Sequence, residues 1–170
     1  DAPIRPLRTV APTAPLAELL ESTGSGLACV DIADGDALLQ RAISIRVAGP
    51  ADASLVLERN GTAIDAVRIG ERVANSETQI AEFVAVDLKP GANTFVLKAN
   101  DTFGNVRDER AITVTAPGVP MRVRLKAPET AVAEAARPVP ILVEEVDADG
   151  RPTAAPTEIT LYAQDGRFDA

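Results

Sequence analysis

From residue 28 onward the chain alternates apolar and polar residues in short runs that turn-forming residues interrupt. Ile43, Ile45 and Val47 alternate with Ser44, Arg46 and Ala48 until Gly49-Pro50 breaks the run. Leu55 and Leu57 alternate with Val56 and Glu58, and Asn60-Gly61 follows. A period of two places alternate side chains on opposite faces of a half-buried strand. Asn-Gly suits a two-residue turn with positive φ at both central positions, so residues 54–59 and 62–64 are expected to form a hairpin. Val67 and Ile69 extend a short strand to Gly70, and the polar stretch 70–78 reads as loop. Residues 79–88 read as a longer strand with Ile80, Val84, Val86 and Leu88 on one face. Glu82 falls on that same face, which predicts either an edge strand or a bulge. After the turn Lys89-Pro90-Gly91-Ala92, residues 93–99 place Phe95, Leu97 and Ala99 inward. Asp101-Thr102-Phe103-Gly104-Asn105 turns the chain, and residues 106–115 close the set before Ala116-Pro117-Gly118-Val119-Pro120 interrupts it.

About seven short strands with closely spaced turns are the pattern of an antiparallel β-sandwich. The alternation restarts with Met121, Val123 and Leu125 against Arg122, Arg124 and Lys126. Val139, Ile141 and Val143 suggest a second strand ending at Asp147-Ala148-Asp149-Gly150, and Ile159, Leu161 and Ala163 a third. So few short strands do not close a sandwich. The remainder of that unit is expected beyond Ala170, or from another chain. Ahead of residue 28 lies a Pro- and Ala-rich stretch without periodicity, expected to be an extended linker. Within it, residues 15–21 can form two helical turns with Thr13 as cap and Pro15 in the first turn. The expected organisation is all-β: a linker with a short helix over 1–27, a sandwich over 28–117 and a partial second module over 118–170.

Composition narrows the chemistry. The 170 residues carry a net charge of −8, with no His, no Trp, one Cys and 3% aromatics against 46% hydrophobic residues. A Ser-His-Asp triad, a Cys-His pair and a His-ligated zinc site therefore cannot be built from this chain alone. An acidic chain without clustered Lys or Arg is a poor partner for nucleic acid. The sequence contains no apolar run of the roughly 18 residues that a membrane-spanning helix needs. Cys29, within Leu27-Ala28-Cys29-Val30, reads as a small buried hydrophobe.

The stretch from Leu88 through Lys89-Pro90-Gly91-Ala92-Asn93 to Asp101-Thr102-Phe103-Gly104-Asn105 and Ile112-Thr113-Val114 resembles the last hairpin of bacterial immunoglobulin-like repeats. The shared skeleton is Leu-x-x-Gly-x-Asn, an alternating strand, Asp-x-x-Gly-Asn and a closing strand. The later part resembles the invasin/intimin-type repeat, through Ala127-Pro128, Pro138-Val139-Pro140-Ile141, Val146-Asp147-Ala148-Asp149-Gly150-Arg151-Pro152 and Thr160-Leu161-Tyr162-Ala163-Gln164-Asp165-Gly166-Arg167-Phe168. The stretch from Asp31 to residue 115 looks like the repeat that precedes such a domain in large multi-repeat, outer-membrane-associated proteins of Gram-negative bacteria. The resemblance implies immunoglobulin-like modules in tandem within a larger exported protein, at the cell surface, outer-membrane-associated or periplasmic. Their implied role is non-catalytic: spacer, stalk or adhesive surface. Implied partners are other modules of the same protein and a protein or glycan ligand. A carbohydrate-binding accessory module of a secreted enzyme and an assembly subunit that accepts a partner's β-strand are the competing classes.

Acidic turns are the first candidates for a site. Asp31, Asp34 and Asp36 surround Gly35, Asp101 and Asn105 flank Gly104, and Asp147 and Asp149 precede Gly150. Calcium takes six to eight oxygens, which such turns can supply. No cofactor other than calcium is suggested. A junction pairing Asp101 and Asn105 with the following module is the first place to look, followed by Asp147 and Asp149. Asp and Asn also favour turns for local reasons, because they bond the neighbouring backbone. Arg122, Arg124 and Lys126 share one strand face and could meet an anionic glycan or headgroup, or simply be solvated. Tyr162, the only Tyr, points outward by periodicity and is a weak sugar platform.

Overall fold

The computed structural model describes residues 7–12, 14–128 and 140–153. Along the chain run β1 (Leu7–Arg8), α1 (Leu16–Ser22), β2 (Ala28–Cys29), β3 (Ala37–Leu38), β4 (Ala42–Pro50), β5 (Ser54–Arg59) and β6 (Thr62–Ala63). A 3₁₀ turn at Ala66–Arg68 leads into β7 (Ile69–Ala74), β8 (Thr78–Asp87), β9 (Gly91–Asn100) and β10 (Val106–Ala116). Two further strands, β11 (Arg122–Lys126) and β12 (Leu142–Val146), follow. The described chain is thus mostly strand, as the alternation predicts. Among the described residues no helix is long and apolar enough to cross a membrane.

Among the described residues the strands form three sheets: β1-β3-β10-β9-β5-β6, β2-β4-β8-β7 and the pair β11-β12. Inward residues of the first two meet in a single core, where Ile45, Val47, Leu57, Phe83, Phe95 and Leu97 lose essentially all contact with solvent. The low aromatic content is no obstacle, because Val, Ile and Leu from two facing sheets interdigitate across the usual gap of about 10 Å. The 54–63 hairpin forms as its Asn-Gly predicts, with φ of 51° at Asn60 and 78° at Gly61. The short strand expected over Val67 and Ile69 is a 3₁₀ turn at Val67 and a strand only from Ile69, and residues 71–74, expected as loop, continue it as the edge strand β7. An edge strand faces water along much of its length, so it lacks the apolar alternation that marks a buried one.

A bulge interrupts β8. Ile43 pairs with Val86 but Ile45 with Phe83, so β8 spends one more residue than β4 over the same distance. Ala85 takes φ of 51°, a left-handed conformation that costs a residue with a Cβ. The extra residue reverses the phase. Ala81 and Phe83 face the core on one side of the bulge and Val86 on the other, while Val84 is turned out and 38% exposed. The conflict that Glu82 poses is thereby resolved by a bulge, and the face expected to be shared by Ile80, Val84, Val86 and Leu88 is corrected. Val86 and Leu88 point into the main core, while Ile80 and Val84 point to the outer face and Ala81 and Phe83 take their place inside.

The expected linker is also corrected wherever it is described. β1 pairs in parallel with β3, and Val10 enters the main core. The Gln40 side chain mimics a strand partner: it accepts from the Val10 amide at 2.6 Å and donates to the Val10 carbonyl at 3.0 Å. Helix α1 lays Leu16 over Ala48 and Ile80 on the outer face of β4 and β8. That face is apolar at Ala48 and Ile80, so covering it removes further apolar area from water. Pro15 stands at the start of α1 without a side-chain cap, and Thr13 lies outside the described residues.

Candidate functional site

The acidic candidates separate into distinct structural roles. Asp31 grips Arg46 through several hydrogen bonds beneath the N-terminal segment, and both side chains are less than a tenth exposed. Arg46 also donates to the Ala14 carbonyl at 2.6 Å, which ties that segment down. Asp34 accepts the Thr113 amide at 2.8 Å, and Asp36 accepts from the Ala33 amide at 2.8 Å and from Arg8 at 2.9 Å. Main-chain bonds from Gly35 to the Thr113 carbonyl (2.7 Å) and from Thr115 to the Asp36 carbonyl (2.8 Å) complete the attachment. This loop therefore fastens β3 along β10. Among the described residues, no three carboxylate or thiol groups gather in a way that could hold a metal ion.

Asp101 and Asn105 are brought together by a turn. The Asp101 amide donates to the Asn105 carbonyl at 2.9 Å, and the Gly104 amide donates to the Asp101 carbonyl at 3.0 Å. Oδ1 of Asp101 accepts from the amides of Phe103 and Asn105, at 2.8 and 2.9 Å, and Oδ2 accepts from Asn105 Nδ2 at 3.0 Å. The Asn105 side chain first, and then backbone amides, hold this carboxyl below its usual range. Asp147 and Gly150 repeat the arrangement. The Asp147 amide donates to the Arg151 carbonyl (2.9 Å), the Gly150 amide to the Asp147 carbonyl (3.0 Å), and Oδ1 accepts from the amides of Asp149 and Arg151. Gly104 and Gly150 take φ of 87° and 79°, which a Cβ would strain. Here Oδ2 instead accepts the Gly118 amide at 2.7 Å. That bond is the largest influence lowering the Asp147 pKa, with the amides of Arg151 and Asp149 adding to it and burial opposing.

The junction pairing expected for Asp101 and Asn105 is corrected by β10. Its 11 residues separate the Asp101 turn from Pro117 by roughly 30–35 Å at the ordinary strand rise. The residue that reaches the junction is Asp147, while Asp149 pairs with Arg151 in the same turn. Sequence reasoning passed over Gly118, because a main-chain donor leaves no mark on composition. The available signal is the shared Asp-x-x-Gly spacing at 101 and 147.

Arg122, Arg124 and Lys126 do share a face, but their charges are engaged. Arg124 and Lys126 both reach Glu144 Oε2 at 2.9 Å across the β11–β12 pair. Lys126 first and then Arg124 hold the Glu144 carboxyl below its usual range. Arg122 donates to the Ala148 carbonyl at 3.1 Å, and Arg124 also donates to the Gly150 carbonyl at 3.3 Å, so the cations brace the Asp147 turn. On the opposite face of β11, Met121, Val123 and Leu125 remain exposed. Tyr162 and the strand expected at 159–163 lie outside the described residues. Cys29 is half-buried against the core, and burial pushes its thiol up to about 11, so little reactive thiolate forms near neutrality. Compared with protein-family models and with curated proteins, the chain matches none.

Proposed function

We propose that the chain is a non-catalytic, load-bearing piece of a larger exported bacterial envelope or surface protein: an immunoglobulin-like sandwich running into a second module, used as spacer, stalk or adhesive support. The strand order supports the fold reading. The order β2-β4-β8-β7 in one sheet and β10-β9-β5 in the other can be matched to the ABED and CFG sheets of an immunoglobulin-like sandwich, with β3 added beside β10.

The observation that carries the functional reading is the parallel attachment of β3 to β10. The chain enters the sandwich next to β3 and leaves it from β10. Entry is through β1, which pairs in parallel with β3, so tension between entry and exit shears β1 against β3 and β3 against β10, and loads the bonds of each pair together, not one at a time. Asp34, Gly35 and Asp36 supply the attachment of β3 to β10. Forced unfolding reports the barrier against this shear. Pulling the chain between handles at its two ends should give a distinct force peak for the sandwich, and Asp34→Ala should lower it. Extension without a peak would sink the load-bearing reading.

The exposed face of Met121, Val123 and Leu125 favours a second reading, in which the β11–β12 pair accepts a strand or sheet from a partner. Light scattering over a concentration series tests it for self-association, and a strict monomer counts against an assembly made of this chain alone.

A further inference from the structure

We propose that Asp147 is a clasp that fixes the angle between the sandwich and the strand pair β11–β12, acting through the amide of Gly118. The inference rests on the reading of the chain as linked modules and names the contact that makes the link stiff. Asp147 is only 2% exposed although it belongs to a surface turn, and Gly118 is buried with it. The carboxylate is immobilised twice. Oδ1 is held by its own turn, at the amides of Asp149 and Arg151, and Oδ2 is held by the chain that has just left β10.

The fit around Gly118 is close. A Cβ there would stand 3.3 Å from both Cβ and Oδ2 of Asp147, so Gly allows the main chain to approach the carboxylate. Pro117, immediately before, is fully buried. Beyond the clasp, the Met121 amide donates to the Val146 carbonyl at 2.9 Å. Only Val119 and Pro120 then separate two anchored points, and the ring of Pro120 removes one of their few soft dihedrals. The junction is in this way closed by a ring of contacts that ends on one carboxylate oxygen. Among the described residues, the charged groups near that oxygen are Arg151, whose Nη1 lies 3.7 Å away, and Asp149, which Arg151 also pairs.

The Asp101 turn shows that the clasp is a separate function from the turn. It makes the same four turn bonds, but Asn105 Nδ2 occupies its second oxygen, so nothing from a neighbouring unit is needed. Asp147→Asn isolates the difference. The remaining side-chain oxygen can still accept the two turn amides, while an NH₂ replaces the acceptor that faces Gly118 N–H.

The test uses the full 170-residue chain with spin labels at Asp108→Cys on β10 and Lys126→Cys on β11, read by pulsed electron–electron distance measurement. Cys29→Ala in every variant leaves the two introduced thiols as the label sites. The parent chain should give a single narrow distance peak. Asp147→Asn should lose that peak to a broad distribution, and Asp101→Asn should keep it. Gly118→Ala should also broaden it, since the added Cβ pushes on Asp147 while every turn bond stays available. If Asp147→Asn disturbs β12 itself, seen as lost amide signals in that strand, Gly118→Ala decides. A narrow peak in Asp147→Asn with β12 intact, or in Gly118→Ala where it is not, overturns the clasp and leaves the load-bearing reading standing. A broad peak already in the parent chain overturns the stiff junction, whereas a missing force peak in the pulling experiment concerns the sandwich alone.

Discussion

The turns at Asp101 and Asp147 share a carboxylate, a glycine and four hydrogen bonds, yet one ends a hairpin freely and the other binds a neighbour. The difference begins at the residue four positions on. Asn105 reaches back and satisfies the spare oxygen, so the tip stands alone with Phe103 89% exposed. Arg151 stays 3.7 Å from the equivalent oxygen, which is left to the Gly118 amide. The same contrast holds for the regions around the turns. The Asp101 turn closes a strand pair whose inner face is covered by a second sheet, whereas β11 leaves Val123 and Leu125 in water. A local motif thus sets backbone shape, and its surroundings decide what that shape does.

The contrast between covered and uncovered strands can be broken by truncation. Phe83→Ala empties the centre of the sandwich and should cost about 3–5 kcal/mol in urea-unfolding stability. Leu125→Ala, on the open face, should change it by less than about 0.5 kcal/mol. Comparable losses would mean that the β11 face is covered in solution. Next in size is Asp31→Ala, which strands Arg46 beneath the N-terminal segment. It should cost about 3 kcal/mol, the low end for breaking a buried pair, because Arg46 keeps its bond to Ala14. Glu144→Ala removes the partner of two half-exposed cations and should cost far less in the same assay.

Ala85→Gly should raise stability by up to about 1 kcal/mol, because it relieves a left-handed residue at the β8 bulge. No gain would indicate that the bulge is not strained.

The smallest effect separates the two turns by titration. Both carboxyls lie below their usual range, so their contribution is present above the ordinary value near 4 and is lost as pH falls through the lowered one. Carboxyl chemical shifts should show Asn105→Ala returning Asp101 toward the ordinary range while Asp147 stays low. The Gly118→Ala change should do the reverse. A shift of both carboxyls in either variant would mean that the turns do not act independently.

Much of the sandwich was legible along the chain, because a strand buried on one face must alternate. The inward Ile43, Ile45, Val47, Phe95 and Leu97 follow from that rule alone. It fails where its premise fails. At the bulge an extra residue reverses the phase, so Phe83 and not Val84 turns inward. In β7 an edge position removes the pattern. In residues 7–27 the apolar partner lies on distant strands, so Val10 and Leu16 look like linker residues until β3, β4 and β8 are in place.

Composition and periodicity by themselves determined the β class and most of the turn positions, and excluded a His-based site built from this chain alone. Short-range sterics and the burial of alternate side chains are enough for those. Which acidic residue pairs with Arg46, which clamps β10 and which clasps Gly118 was decided only by the tertiary structure. Carboxylates in turns look alike along a chain, and their roles depend on donors that folding brings from 15 to 79 positions away.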